Sequence, residues 1–314
     1  MVAQPGHEPV YAHRGRAVRP VYGTVDAAEP AAGHCTARTG TSTGWVRVVS
    51  RVGRMTEAVT PAPLPRHVGV IMDGNGRWAR AQGLPREEGH ERGSDSVRTV
   101  VRAARRIGIP ALTLFAFSSQ NWDRPPEEVF RLMELLRRFL IQEREEILDN
   151  GIRLITVGET ERLPPHVREP LVELMAASAN NEGMVLCLAL SYGGREMIAR
   201  ACREMCQAAM NGSLDPSDVT IDTVESYLPS SKMLPQLDLL IRTSGEHRIS
   251  NFFLWETAYA ELHFTEKMWP EFDESDLLAA LHDFAQRERR FGRTSEQVES
   301  SPAASGGRSA AGMD

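Results

Sequence analysis

The sequence predicts an α/β fold, a single domain with a largely parallel central sheet flanked by helices. Two observations predict it. From His67 onward, short apolar runs of strand type alternate with stretches of helical period, an order that builds a parallel sheet through right-handed crossovers. Three of those runs end in loops crowded with Asp, Asn, Ser and Arg. In a parallel sheet such ends share one edge, so separate loops are expected to form one composite site.

The first strand is the run Val68, Val70 and Ile71 within HVGVIMDGNGRWAR, His67 to Arg80. At Asp73 it breaks into a stretch with a carboxylate, two glycines, an amide and an arginine, read here as a loop. Alone, that stretch fits a tight turn as well as a site, because Asp-Gly and Asn-Gly are common turn pairs. Val97, Val100, Val101, Ala104 and Ile107 then share one helical face, which Gly108 ends. Ala111 to Phe117 is a second strand running into Ser118-Ser119-Gln120-Asn121-Trp122-Asp123-Arg124. Pro125-Pro126-Glu127-Glu128 opens a long helix with Val129, Met133, Leu136 and Leu140 on its apolar face. Ile152 to Val157 is a third strand, followed by a helix after Pro164-Pro165. Met184 to Leu190 is a fourth, followed by Tyr192-Gly193-Gly194-Arg195 and a helix to Asn211 with Gly212 behind it. Leu237 to Ile241 is a fifth strand, ending in Arg242-Thr243-Ser244-Gly245-Glu246-His247-Arg248. Ala260 to Phe264 is a further strand, and a last helix runs from Asp273 to Arg289.

Residues 1–60 are rich in Ala, Gly, Pro, Thr and Arg without a sustained period and read as a disordered extension, with Met55 a second plausible start. Residues 61–292 form the predicted folded domain and 293–314 a loose tail. A net charge of -6 argues against a nucleic-acid binder, which would usually be basic. No run of about 18 apolar residues could span a bilayer, and no apolar signal core opens the chain, so the expected location is cytoplasmic. Cys35, Cys187, Cys202 and Cys206 have no zinc spacing and are expected to be reduced and mostly buried. Lys232 and Lys267 are the only lysines, so arginine abundance carries no information and only arginine position counts.

Sorted by type, the strand-end residues are carboxylates (Asp73, Glu128, Glu246), arginines (Arg77, Arg124, Arg242, Arg248) and small donors (Asn75, Ser118, Ser119, Asn121), with Trp78 and Trp122 beside them. Guanidinium groups bind phosphate oxygens bidentately. A lone Asp suits magnesium, which keeps waters and takes further ligands from substrate phosphates. The chain has no G-x-x-x-x-G-K-[ST] and no G-x-G-x-x-G after a strand. The expected ligand is instead a diphosphate head on a hydrocarbon tail, held in an apolar cleft.

The blocks HVGVIMDGNGRWAR, GHERG, LTLFAFSSQNWDRPPEEV, SYGGR, LIRTSGEHRISNFFLW and AYAELHFTEKMWPEF closely resemble the cis-prenyltransferase family, over His67 to Gly292. The resemblance implies condensation of isopentenyl diphosphate onto an allylic diphosphate such as farnesyl diphosphate, with an apolar product cleft, Mg2+ as cofactor and a homodimer as the assembly. The lipid product would bring the protein into peripheral contact with membrane. By position, Asp73 matches the magnesium-binding catalytic aspartate. Gly74, Asn75, Gly76, Arg77, Arg86 and His90 match the allylic diphosphate site, with Trp78, Ser118, Ser119, Gln120, Trp122 and Arg124 around it. Asn121 matches the residue assigned to proton removal. Arg242, Arg248, Ile249 and Ser250 match the isopentenyl diphosphate site, Glu261 a second magnesium-linked acid, and His247 lies near that metal by analogy. Arg290-Phe291-Gly292 resembles a C-terminal element that reaches the partner's site.

Asn121 is a weak base, and Asp73 or the released diphosphate is chemically stronger, so the proton acceptor stays open. Ala116, Phe117, Val129, Phe130, Met133 and Leu140 are candidate tunnel residues, about half of them expected to be ordinary core. Four positions depart from the family pattern: Gln120 stands for Glu, Ser191 for Asn, Glu256 for Gln, and Met197 for an acidic residue. Ala116 resembles the small residue of long-chain producers and implies a medium-to-long product for cell-envelope synthesis. Alternatives are a short or irregular product of secondary metabolism, or a non-catalytic partner subunit. The latter type loses the strand-end aspartate and arginines, which this chain keeps. The D-D-x-x-D of trans-prenyltransferases is absent.

Overall fold

The computed structural model describes residues 63–288 and, before them, two three-residue strands, β1 (Trp45–Arg47) and β2 (Val59–Pro61), paired antiparallel. Otherwise the expected extension, the tail, and Arg290-Phe291-Gly292 lie outside the described residues. Strand β3 (His67–Ile71) is buried along its whole length, which a strand covered by helices on both faces requires. It sits in a six-stranded sheet with β4 (Ala111–Ser118), β5 (Ile152–Val157), β6 (Met184–Tyr192), β7 (Leu239–Arg242) and β8 (Glu261–Phe264). The order is β5-β6-β4-β3-β7-β8, and every pairing is parallel.

Alternate side chains divide between two cores, as the period of two in a strand dictates. Val68, Val70, Leu112, Leu114, Leu186, Leu188, Leu239 and Ile241 face one side, toward α2 (Arg86–Ile107), α3 (Pro126–Gln142), α5 (Pro165–Ala177) and α9 (Glu274–Gln286), with α1 (Asn75–Ala81) and α4 (Arg144–Asp149) preceding α2 and α5. Ile71, Ala111, Cys187, Ala189 and Leu240 face the other, toward Met197 and Ala201 of α6 (Gly194–Met210), and toward Leu228, Leu234, Phe252 and Phe253.

Several boundaries differ from the sequence reading. The stretch after β3 is a loop only as far as Gly74, whose φ of 105° turns the chain directly into α1. Gly76, Arg77 and Trp78 are therefore helical. Strand β6 runs on through Tyr192, and β7 starts at Leu239, just after Asp238, whose carboxylate accepts the Arg66 backbone N–H at 2.7 Å. Two short helices, α7 (Ile221–Tyr227) and α8 (Pro229–Met233), carry no period long enough to read. The last helix ends at Gln286, where Arg287 turns to extended backbone and pairs with Asp283 and Glu261. Of the cysteines, Cys187 is buried as expected, but Cys202 and Cys206 are exposed, since the buried face of α6 runs through Met197, Ala201 and Ala208.

The GHERG block has a packing cause. A β-carbon on Gly89 would lie 2.0 Å from the Asn75 carbonyl oxygen, and one on Gly93 would lie 2.3 Å from Asn75 Oδ1. Helices α1 and α2 therefore touch backbone to backbone, and Gly93 accepts a 2.8 Å hydrogen bond from the buried Trp269 indole. Gly89→Ala should destabilise the fold by about 3 kcal/mol, the upper part of the range for overpacking, because the obstructing atom is backbone. Urea unfolding of the two proteins measures it, and a change within error would refute the close packing.

Candidate active site

The pairing register places the carboxyl ends of β6, β4, β3 and β7 side by side: Ile71 is level with Arg242, and Ser118 with Tyr192. The first residue to build on is Arg242, buried to 3% exposure at the end of β7. A buried guanidinium demands partners. Its Nη2 donates to Asp73 Oδ2 at 2.8 Å, and its Nη1 donates to Ser250 Oγ at 2.8 Å and to the Arg248 carbonyl. Asp73 is itself held by its backbone. Thr243 Oγ1 donates to the Asp73 carbonyl at 2.7 Å and accepts its N–H at 2.9 Å, while the Trp269 N–H reaches the same carbonyl at 3.0 Å. The Gly74 N–H donates to Asp73 Oδ1 at 2.7 Å. Arg77 stands 3.5 Å from Asp73 Oδ2 and 3.2 Å from Glu246, which also pairs with Arg248.

Burial alone would raise the Asp73 pKa. The Arg242 hydrogen bond and charge, the Gly74 N–H and the Arg77 charge outweigh it, so the carboxyl stays below its ordinary value. Arg242 Nε and Ser244 Oγ are buried with no partner among the described residues. A buried donor left open at a strand end is a ready contact for an anionic oxygen.

A second cationic cluster lies at the start of α2 and α3. Arg86 Nε is 3.2 Å and Arg124 Nη1 2.9 Å from the same oxygen of Glu128. His90 lies among them, and burial first, then the Arg86 and Arg124 charges, lower its pKa to about 4. It is neutral at pH 7. After β4, Asn121 Oδ1 accepts the Ser118 N–H at 3.0 Å, and Trp122 donates to Ser191 Oγ at 2.9 Å while meeting Phe117 edge-on.

Two cavities open here. A polar basin is lined by Asp73, Ser118, Gln120, Asn121, Arg124, Arg242, Arg248 and Ser250. An apolar cleft of about 200 Å³ runs from His90, Asn121 and Arg124 inward past Leu132, Leu136, Phe139 and Leu188. Met72, Phe115, Asn121 and Arg124 line both, so basin and cleft adjoin across these four side chains. Ala116 is the extra residue of a bulge, since Phe115 pairs with Ala189 and Phe117 with Leu190. Ala116 is exposed and is one of the residues lining the cleft.

The profile of the family described as "Putative undecaprenyl diphosphate synthase" matches residues 71–292. The chain belongs to that family. An isoprenyl transferase of Chlorobaculum tepidum is 48% identical over 235 residues, covering 75% of this chain and 88% of that protein. A ditrans,polycis-undecaprenyl-diphosphate synthase of Vibrio parahaemolyticus, named as specific for (2E,6E)-farnesyl diphosphate, is 48% identical over 235 residues, covering 75% of this chain and 93% of that one. Among solved structures, lavandulyl diphosphate synthase from Lavandula x intermedia, in complex with dimethylallyl diphosphate, is similar with a TM-score of 0.71 and 37% identity, covering 73% of this chain and 99% of that chain.

Of the residues singled out from sequence, Asp73, Ser118, Gln120, Asn121, Arg124, Arg242, Arg248 and Ser250 meet at the basin. Gly76 packs under Arg86, since a β-carbon there would lie 3.1 Å from its Nε. Trp78 lines a separate polar pocket, Ile249 packs into the second core, and His247 lies edge-on to Phe264. Glu261 is level with Leu239 at the opposite end of the strands and bonds Arg287 at 3.0 Å, so within this chain it is not gathered with Asp73. Among the described residues no cluster of three metal-binding side chains exists. Ala116, Phe117 and Met133 line the cleft, whereas Leu140 is core, Val129 packs at its margin and Phe130 is 60% exposed.

Three of the four departures have distinctive surroundings, while Met197 is buried on the inner face of α6. Ser191 sits at φ 48°, a left-handed conformation that Asn tolerates better than Ser. Burial raises the pKa of Glu256, which takes a hydrogen bond from Ser230. Gln120 donates at 3.1 Å to Glu196, so a carboxylate lies beside the loop on the neighbouring side chain. Sequence reading missed Thr243, Trp269, Glu196 and Asn251. Only Asn251 had a local signal, its type being favoured at the φ of 62° it adopts.

His90 carries a pH consequence. Its folded pKa lies below the unfolded value of about 6.5. Between those values the unfolded chain binds the extra proton, so stability rises with pH from about 4 to 6.5 and falls on acidification through that window. His67, also lowered to about 4 by burial, adds a parallel slope. His90→Asn should make the stability profile shallower across this window while His67 keeps the remainder, as unfolding midpoints at half-unit pH steps would show.

Proposed function

We propose that the chain elongates prenyl chains in cis, condensing isopentenyl diphosphate with an allylic diphosphate, with farnesyl diphosphate as the expected primer, to a medium-to-long polyprenyl diphosphate. The observation that carries this reading is that the arginine-lined basin and the apolar cleft adjoin, with Met72, Phe115, Asn121 and Arg124 lining both. A ligand with two to three charges at one end and hydrocarbon at the other matches both halves. The names of the 48%-identical relatives point the same way.

Arg86, Arg124 and neutral His90 hold the allylic diphosphate at the mouth of the cleft and aim its tail past Ala116. Arg242, Arg248 and Ser250, which line the basin, receive the diphosphate of the isopentenyl unit. The allylic carbon–oxygen bond breaks, the isopentenyl double bond attacks that carbon, and one proton leaves. Fixed guanidinium groups neutralise charge as it builds on the leaving diphosphate. Asn121 is a poor base, because its amide is neutral and its Oδ1 is already committed to the Ser118 N–H. Asp73 is also a weak base, since Arg242 and Arg77 stabilise its ionised form. An oxygen of the departing diphosphate is therefore the best proton acceptor present.

Magnesium fits this donor set. Asp73 offers one hard carboxylate beside an anion site, and each of its oxygens keeps lone-pair capacity beyond the Gly74 and Arg242 bonds. When bound there, the ion would supply further charge neutralisation to the diphosphates. A homodimer is the expected assembly, and the lipid product would draw the protein to a membrane surface. No helix among the described residues is long and apolar enough to cross a membrane.

Purified protein with magnesium, farnesyl diphosphate and labelled isopentenyl diphosphate should give a ladder of products. A single short product would favour the lavandulyl-type alternative, and no product with any primer the partner-subunit reading. Asp73→Asn, which keeps an acceptor for Arg242, should lower kcat at least about a hundredfold with an intact fold; full turnover would remove Asp73 from the site. Ala116→Leu should narrow the cleft at the bulge and shift the longest product downward, and an unchanged ladder would place the growing chain elsewhere.

A further inference from the structure

The loop after β4, the start of α6 and the Arg248–Asn251 loop are joined by one side chain. Glu196, on the first turn of α6, accepts from Gln120 Nε2 at 3.1 Å through Oε1 and from Asn251 Nδ2 at 2.8 Å through Oε2. Asn251 in turn accepts the Arg195 N–H at 2.9 Å on Oδ1 and the Gly194 N–H at 2.7 Å on its carbonyl. Next to it, Ser250 takes the Arg242 hydrogen bond, and both Ser250 and Asn251 are left-handed, at φ 46° and 62°. A backbone held in that region persists only where its surroundings over-determine it. Gly193 lies over this junction. A β-carbon there would meet Glu196 Oε2 at 2.1 Å, Ser119 Oγ at 2.6 Å and Asn251 Nδ2 at 2.7 Å, so the glycine makes room for the network.

We propose that Glu196 is a positioning residue of the isopentenyl diphosphate site, holding the strained Ser250–Asn251 turn against the Gln120 loop so that Ser250 and Arg248 face the basin. The proposal rests on the functional reading above. It also makes the Gln120–Glu196 pair directional: one side chain must donate and the other accept. Placing Glu at 120 opposes two carboxylates. Exchanging the pair restores the pattern, because Gln at 196 can donate to Glu at 120 while its oxygen still accepts from Asn251.

The test is a double-mutant cycle read two ways. In steady-state kinetics, Gln120→Glu and Glu196→Ala should each raise KM for isopentenyl diphosphate about tenfold, the size of a close-contact coupling, with KM for the allylic primer changed less than twofold. Gln120→Glu combined with Glu196→Gln should recover most of that loss, and Glu196→Gln alone should be mild because the Gln120 amide can turn over. In urea unfolding of the protein without substrate, the same pair should couple favourably. Additive effects of Gln120→Glu and Glu196→Gln, or equal rises in KM for both substrates, would overturn the positioning role. Wild-type protein without turnover would overturn the functional reading alone, since the coupling in unfolding is measured without substrate.

Discussion

A guanidinium buried at a strand end is the constraint on which the rest of the site depends. Arg242 is almost wholly out of water, and such a charge is tolerated only when its hydrogens find acceptors. The structure supplies them from three places: the Asp73 carboxylate in the loop after the neighbouring strand, and the Arg248 carbonyl and the Ser250 hydroxyl from the loop that follows β7. Meeting that demand draws Asp73 to the basin, and it folds residues 243 to 251 back over the end of the sheet. The left-handed Ser244, Ser250 and Asn251 are local consequences of the fold-back. What the pairing leaves over is equally informative. Arg242 Nε has no partner among the described residues, and Asp73 has spare lone pairs. A stabilising pair would close on itself, whereas this one ends in open valences of both signs.

The all-parallel sheet decides where this happens. Because β3 is flanked by β4 and β7 in register, the ends of three strands lie within a few ångströms laterally, at the about 4.8 Å spacing of neighbouring strands. No long-range device is needed to assemble Asp73, Ser118 and Arg242, since the sheet does it. The same geometry separates Glu261. It starts β8 rather than ending it, and three residues of strand rise place it about 10 Å down the sheet from the level of Arg242.

The architecture was legible because the strands are short stretches dominated by apolar and β-branched residues and bounded by Gly, Pro or a polar cluster, as in His67–Ile71, Ala111–Ser118 and Ile152–Val157. The charged members of the basin were legible for a related reason, as charges directly after buried strands have few other places to be. What escaped was whatever depends on two distant segments meeting. Thr243 looks like any strand-end threonine until its hydroxyl is seen between the N–H and carbonyl of Asp73. Trp269 looks like core and is core, yet its backbone and indole brace Asp73 and Gly93. Helix α1 was hidden because its first residues, Asn75 and Gly76, have low helical propensity, and tertiary packing on Gly89 and Gly93 overrides them. Cys202 and Cys206 misled because cysteine type favours burial, while their helical phase puts them outside.

The join between basin and cleft accounts for the arrangement of hydrophobic and polar groups. A diphosphate needs donors and a high local field; a hydrocarbon tail needs a dry wall that no donor interrupts. Four residues manage the change. Met72 and Phe115 present apolar surface to both cavities, and Asn121 and Arg124 present polar heads at the boundary. Arg124 is tied to Glu128 one helical turn on, so its charge stays at the rim and does not enter the cleft. Asn121 spends its oxygen on the Ser118 backbone, which leaves its amide N–H₂ end for the basin. Ala116, the extra residue of the bulge in β4, lines the cleft together with Met133 and Leu136 of α3. A larger residue there should narrow the cleft, and Ala116 is not among the residues that line the basin. Control over how much hydrocarbon enters is thus separable from control over charge, because one resides in a bulge and a helix face and the other in the ends of the strands.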